Sequence, residues 1–454
     1  MNGPAAERLA TALGGLHPDH FRIARAALWV LLFTFAAKLA VAAREIVLAW
    51  RFGRGPEVDA YNLALTLSTW LPLALVAVMT VVLVPALVRA NLEKASTRQR
   101  FLRELNGAAV VAGLGMSIVT WVAAPWLVRA FAFGLPESTR DLVRGMLGSF
   151  APIALLTVLV GVYTTRLQAA NDHRYAIAEG FPPFGVVLLV LAWEAGDAGP
   201  LIVGTLAGFA LQVWWLARQS REPGSSRLQV SVSLQSPQWK GLWRGALVMA
   251  IGQFAMSFTL PIDQWFAANV GSGAIATLGY ANRIISLGMA LGATVISRAT
   301  LPIFSEGIAR GDNERIRRYA LGWAGSMLLL GIAGAVLLWL LAPWLVALLF
   351  ERGAFSSADT QAVAEALRWG VWQLPPYLAG LVLVSQLASE SRYQLIGAIG
   401  SGNIILKLVG TSVLVQRFGL NGILLATVVM YVLSALLCWY AVVRTPVQRV
   451  RVSG

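Results

Sequence analysis

Charge is scarce in this chain. Of its 454 residues only 13% are Asp, Glu, Lys or Arg, whereas 57% are hydrophobic and the mean hydropathy is +0.68. A soluble domain carries about a quarter charged residues, so a string of ordinary soluble enzyme domains is excluded. Cysteine is nearly absent as well. Cys438 stands alone inside a late apolar run, which rules out an intramolecular disulfide, and no Cys/His cluster has metal-ligand spacing. The histidines His17, His20 and His173 are scattered in polar segments and read as solvated side chains. No ATP-binding loop, zinc-protease motif or nucleophile elbow occurs. No cleavable signal pattern precedes the first apolar run, which is expected to serve as an uncleaved signal.

Long apolar runs are what the chain does have, each well beyond the ~18 residues that mark a transmembrane helix. Hydropathy and Gly/Pro punctuation predict an all-α polytopic membrane protein. Twelve spans are expected, at 26–50, 62–90, 106–133, 141–168, 175–196, 199–217, 242–270, 275–308, 319–349, 359–390, 393–416 and 420–443. The net charge of +14 does not call for nucleic acid, because membrane proteins concentrate Lys and Arg on their cytoplasmic side. With both termini inside, 23 of the 36 Lys and Arg residues fall in cytoplasmic segments and 8 on the opposite side. That asymmetry predicts cytoplasmic termini and a multi-pass protein of a bacterial inner membrane.

Residues 218–241 form the one sizeable polar linker and divide the chain into halves. The predicted organisation is a cytoplasmic segment at 1–25, an N-terminal lobe of six helices at 26–217 and a linker at 218–241. A second lobe of six helices at 242–443 and a cytoplasmic tail at 444–454 complete it. An internal repeat supports the division. Ala124-Pro125-Trp126-Leu127-Val128 returns as Ala342-Pro343-Trp344-Leu345-Val346, Gly53-x-Gly55 as Gly271-x-Gly273, and Arg174-Tyr175 as Arg392-Tyr393, each at an offset of 218. Glu45 maps onto Asp263 under the same shift. An even number of helices per half makes the repeats parallel, an arrangement in which a transporter binds substrate between its lobes.

The remaining cations, Lys38, Arg44, Arg283, Arg298 and Lys407, fall inside predicted helices, with Glu45 and Asp263 as their clearest acidic partners. Each ionisable residue at mid-bilayer costs roughly 2.5–3.5 kcal/mol on insertion scales, so such residues line wet cavities or pair with one another. Arg298, near a helix end, is read as snorkelling. A surplus of cations between lobes suits a polyanion such as a pyrophosphate. Pro261, two residues before Asp263, predicts a bend beside that acid.

Three stretches stand out: Ala43-Arg44-Glu45-Ile46-Val47 with Phe52-Gly53-x-Gly55 and Asp59-Ala60-Tyr61, then Asp263 through Tyr280-Ala281-Asn282-Arg283, and Leu349-Phe350-Glu351-Arg352-Gly353-Ala354-Phe355. Together they resemble the MurJ/MviN lipid II flippase family. The resemblance implies the two-lobed fold of the multidrug/oligosaccharidyl-lipid/polysaccharide exporter superfamily, which also includes the MATE-type transporters. It further implies a flippase, not an enzyme, that moves a polyprenyl-pyrophosphate-linked sugar by alternating access. Carried over by position, Arg44 and Arg283, with Lys38 in place of a family arginine, hold the pyrophosphate, and Asp59 gates the outer mouth against a cation of the other half. Glu45, Asp263, Asn403 and Lys407 serve ion coupling or internal pairing; Lys407, one turn from Asn403, stands ready to replace a bound cation with its own ammonium. No cofactor is expected beyond a monovalent cation or the membrane potential. Membrane lipids and cell-envelope biosynthesis enzymes are the expected partners. Two departures from the family stand out: Leu71–Pro85 is apolar where the family has Arg and Glu, and two further C-terminal helices that hold the lipid tail have no counterpart before Gly454. The rival readings are a cation-coupled drug exporter of the same superfamily and a membrane enzyme acting on lipid-linked sugars.

Overall fold

The computed structural model describes residues 18–91, 93–170, 172, 174–194, 196–221, 230–239, 242–243, 246, 253–254, 257–309, 312–390 and 392–444. His17 and His173, most of the expected linker and the first half of the expected seventh helix lie outside them, as do the side chains of His20 and Arg298. Among the described residues the regular structure is entirely helical. The helices are α1 (Pro18–Phe52), α2 (Pro56–Ala90), α3 (Ala95–Phe131), α4 (Glu137–Ala169), α5 (Tyr175–Ala178), α6 (Phe181–Ala192) and α7 (Gly199–Gln219). After the linker come α8 (Thr259–Val270), α9 (Ala274–Ala309), α10 (Asn313–Phe350), α11 (Ser357–Gly370), α12 (Leu374–Ser389), α13 (Tyr393–Phe418) and α14 (Leu420–Arg444).

Two rods are broken rather than continuous. A break at Glu179–Gly180, ahead of Pro182-Pro183, separates α5 from α6, and a 3-10 turn over Val371–Gln373, ahead of Pro375-Pro376, separates α11 from α12. Proline lacks the N–H that an uninterrupted helix needs, and both breaks follow from that. Counting each broken pair as one rod gives twelve rods among the described residues, as many as the expected spans, and nine of them are long and apolar enough to cross a membrane. Pro261 lies in the first turn of α8, three residues after Phe258, where a turn separates the helical Ser257 from Thr259. Its missing N–H is one that a first turn leaves unbonded anyway.

The repeat reaches the helix ends. Phe52 and Val270 close their helices, while Pro56 and Ala274, Ala95 and Asn313, and Tyr175 and Tyr393 open theirs, every pair 218 residues apart. With no hydrophobic force between helices in lipid, packing relies on close backbone approach at small residues. The crossing of α6 and α7 shows this: a Cβ on Gly204 would lie 2.7 Å from Val186 Cα, and one on Gly208 2.5 Å from Pro182 Cα.

Where the buried apolar residues cluster defines the shape. One large core spans both lobes and holds Leu48, Val58, Tyr61, Phe266, Tyr280, Phe350 and Phe355. All of these lie toward the helix ends remote from the linker, here the far face. Toward the linker face the core splits, with Leu83, Phe101 and Val162 in the first lobe and Phe304, Ala320 and Val382 in the second. Among the described residues, then, one apolar core joins the lobes at the far face, and each lobe has its own core at the linker face.

Candidate functional site

Between the lobes lies a cavity of about 460 Å³. Thr66 and Trp70 of α2, Asp263 of α8, Asn282 and Ser286 of α9, Gln373, and Thr427 and Tyr431 of α14 line it. Asp263 is its one charged lining residue among the described residues. The cations expected here are placed differently from one another, and each placement follows from what its helix meets.

Arg44 and Glu45 are both buried near the end of α1, and the Arg44 guanidinium lies 2.5 Å from Glu45 Oε1 and 6.0 Å from the centre of the Tyr61 ring. Arg283 reaches across from α9 and places its Nε 3.0 Å from the same carboxylate oxygen. Two guanidinium groups thus share one carboxylate across the lobe boundary, leaving one net positive charge. The Arg283 side chain stays 45% exposed, and it follows Asn282 of the cavity wall in sequence. Glu45 therefore belongs to internal pairing, and this pairing orients both arginines. Lys38 lies elsewhere. It is exposed, and it interacts electrostatically with Glu179. The Glu179–Gly180 break packs on α1, where a Cβ on Gly180 would lie 3.3 Å from Ala37 Cα. Lys38 is thus not gathered with Arg44 and Arg283.

Asp263 pairs with Lys407 of α13, Nζ to Oδ1 at 2.7 Å, and Lys407 is fully buried. The same ammonium donates to the Ile423 carbonyl at 3.1 Å and to the Thr427 hydroxyl. A carboxylate, a carbonyl and a hydroxyl around one positive centre make a set of oxygens suited to a hard monovalent cation, and the lysine occupies its middle. Asn403 does not join the set. Its Oδ1 instead accepts from Ser434 Oγ at 2.6 Å. The cation site implied by Asp263 with Asn403 does not fit these residues, because the ammonium takes the place of the ion and the amide is turned to α14.

Asp59 is fully buried, and it does cross to the second lobe, but to a different partner from the expected cation. Its two oxygens accept from the backbone N–H groups of Gly273 at 2.6 Å and Ala276 at 2.7 Å, at the start of α9. A carboxylate at a helix N-terminus satisfies otherwise unbonded donors and complements the helix dipole. Around it the far face is closed by further contacts between lobes. Tyr280 Oη donates to the Gly53 carbonyl at 2.8 Å, Ala354 N to the Trp50 carbonyl at 2.8 Å, and Arg54 pairs with Asp359 at 3.3 Å. Gly53 adopts φ +56°, and a Cβ there would come within 2.6 Å of Ala354 O. The glycine is required twice over, for its φ and for the close approach.

Several residues of this seal were not legible as such in the sequence. Tyr280 and Tyr61 stand inside the motifs but announce no partner. Asp359 reads as the N3 residue of a capping box with Ser356, which it also is, and that hides its bond to Arg54. Outside the seal, Thr427 beside Lys407 carried no signal either.

Comparison with known proteins agrees with this geometry. Residues 48–451 match the profile of the family described as Lipid II flippase MurJ. A probable lipid II flippase MurJ of Synechocystis sp. is 25% identical over 88% of this chain and 77% of its own length. The lipid II flippase MurJ of Burkholderia cenocepacia is 26% identical over 80% and 72% respectively. The relative from Bdellovibrio bacteriovorus is 28% identical, and the chain spans 47% of its length. Among solved structures, a lipid II flippase MurJ in an inward closed conformation superposes with a TM-score of 0.79 at 18% identity, covering 93% of this chain and 89% of that one. An inward-facing MATE transporter follows at 0.71, covering 89% and 93%. These two show the fold. The profile match takes in most of the sequence, and the chain belongs to the lipid II flippase MurJ family.

Proposed function

We propose that this protein flips a polyprenyl-pyrophosphate-linked sugar, of the lipid II type, outward across a bacterial inner membrane by alternating access. The observation that carries the reading is the Arg44–Glu45–Arg283 cluster: two guanidinium groups and one carboxylate joined across the lobe boundary beside the cavity. A pyrophosphate offers several charged oxygens on tetrahedral phosphorus, and the planar guanidinium binds them in pairs, bidentately. On arrival it competes with Glu45 for the exposed Arg283, and the bond that ties the lobes there weakens as substrate binds. Rocking can then proceed from the described state, sealed at the far face. The positive-inside asymmetry makes that far face the outer one, so the described state receives substrate from the cytoplasm.

Asp263 and Lys407 supply the electrostatic balance that a bound cation would otherwise give. In this reading the ammonium is a tethered counter-ion, and flipping runs on the membrane potential and substrate supply, without a sodium requirement. The test is translocation of a labelled lipid-linked precursor in proteoliposomes. Arg44→Glu with Arg283→Glu abolishes it in this account, and exchanging sodium for choline leaves the wild-type rate unchanged. Normal flipping by the doubly reversed variant would overturn the pyrophosphate role, and a rate that collapses without sodium would overturn the role of Lys407.

A further inference from the structure

A second cavity, of about 950 Å³, is larger than the one between the lobes. It is a groove on the outer surface of the second lobe, bounded by α10, the α11–α12 rod and α14. α12 and α14 separate it from the central cavity. Gln373 and Thr427 face that cavity, while their neighbours Trp372 and Val428 face the groove.

Its shape and chemistry are specific. Along α10 it is lined from Leu321 to Trp339, a rise of about 27 Å at 1.5 Å per residue. That is most of a hydrocarbon core of ~30 Å and nearly double the depth of one leaflet. The walls are aliphatic, with tryptophans at both ends, and Arg368 is the one charged residue lining it among the described residues. Arg368 sits at the far-face end, its Nε donating to the Trp339 carbonyl at 3.2 Å and its guanidinium 5.0 Å from the Trp339 ring centre. No ion pair joins Arg368 to a carboxylate among the described residues. The two terminal nitrogens are therefore held at the mouth of an apolar groove, oriented by the first nitrogen and by the indole.

A single cation over a single long apolar track fits one phosphate on one long hydrocarbon chain. An ordinary phospholipid of the outer leaflet has acyl chains that end at the midplane and would leave the half toward the linker face unfilled. A polyprenyl chain continues past it. We propose that this groove is a second lipid site, holding a polyprenyl phosphate-type lipid, with or without its sugar, by its chain and by a phosphate against Arg368 in the outer leaflet. The choice of polyprenyl lipid rests on the flippase reading above; the site itself rests on the groove.

The full chain in detergent is titrated with a long-chain polyprenyl phosphate, with farnesyl phosphate and with dioleoyl phosphatidylglycerol, and lipid occupancy is read by native mass spectrometry. Long-chain polyprenyl phosphate is expected to bind in preference to both others. Arg368→Gln should weaken it about tenfold, as loss of a charge-assisted contact does. Gly325→Trp fills the groove from a position whose Cβ meets nothing within 4 Å and should abolish binding. Gly334→Trp, equally unhindered but away from the groove, should leave it unchanged. Equal binding of phosphatidylglycerol, or wild-type affinity in both Arg368→Gln and Gly325→Trp, overturns the proposal. Binding lost in Arg283→Ala but kept in Gly325→Trp places the lipid in the central cavity and also overturns it. None of these readouts measures translocation, so failure here leaves the flippase reading to its own test.

Discussion

Lys407 is the residue whose environment is hardest to exchange. It is fully buried against Asp263, the Ile423 carbonyl and Thr427, and removing one partner of a buried pair leaves a charge with no compensation, at about 3–5 kcal/mol. Lys407→Met should therefore lower thermal stability sharply in detergent, whereas Lys407→Met with Asp263→Leu should recover most of the loss. If the double variant is as unstable as the single one, the pair is not the source of the effect. Sequence alone showed that a lysine and an acid stood inside two helices. It could not show that Asn403, one turn away, turns to Ser434 instead, because a single turn of a helix changes which neighbour a side chain meets. Lys38 makes the same point. It is seven residues from Glu45 and so on nearly the same face, yet it lies beside the broken α5–α6 rod, and no periodicity announces that break's position against α1.

Helix ends are where this fold is tied together. The start of α9 is capped not by its own chain but by Asp59 of the other lobe, so the cap exists only while the far face is shut. Asp59→Ala removes two strong acceptors worth about 1–2 kcal/mol and should shift the population toward a far-face-open state. Distance measurements between spin labels on the ends of α2 and α11 should then show the longer distance gaining, and an unchanged distribution would exclude the cap as a latch. At the linker face the device is different. Glu104, fully buried near the start of α3, accepts from Arg100 Nε, Ser233 Oγ, Ser236 N and Trp239 Nε1 at 2.9–3.1 Å. Ser231 N adds a bond to the Arg103 carbonyl at 3.0 Å. The end of the linker is thus fastened to the first lobe and moves with it. Glu104→Ala strands the buried Ser236 and Trp239 donors, at about 1–3 kcal/mol each, so residues 230–239 should become sensitive to limited proteolysis. The helices themselves were legible from apolar runs, and their ends from the 218-residue repeat. The linker's attachment was not, since a Ser/Gln-rich stretch reads as solvated until a buried carboxylate is seen to gather it.

On the scale of the whole molecule, the split core explains the cycle. One apolar core joins the lobes at the far face, and separate cores hold each lobe at the linker face, so each lobe can tilt as a unit once the far-face seal gives way. The sequence motifs around Gly53-x-Gly55, Asp59, Tyr280 and Gly353 all fall in that seal, while the motif residues Asp263 and Asn282 line the cavity. Gly53→Val tests the seal as a unit. A β-branched residue at φ +56°, 2.6 Å from Ala354 O, should prevent closure and slow transport severely while the helices stay folded by circular dichroism; wild-type flipping in that variant would show that the seal is dispensable. The central claim is that Arg44 and Arg283, joined through Glu45, receive the pyrophosphate. The most direct measurement is translocation of a labelled polyprenyl-pyrophosphate-linked sugar by Arg44→Glu/Arg283→Glu proteoliposomes alongside wild type. The account predicts that the variant falls to the protein-free rate; translocation at the wild-type rate would contradict it.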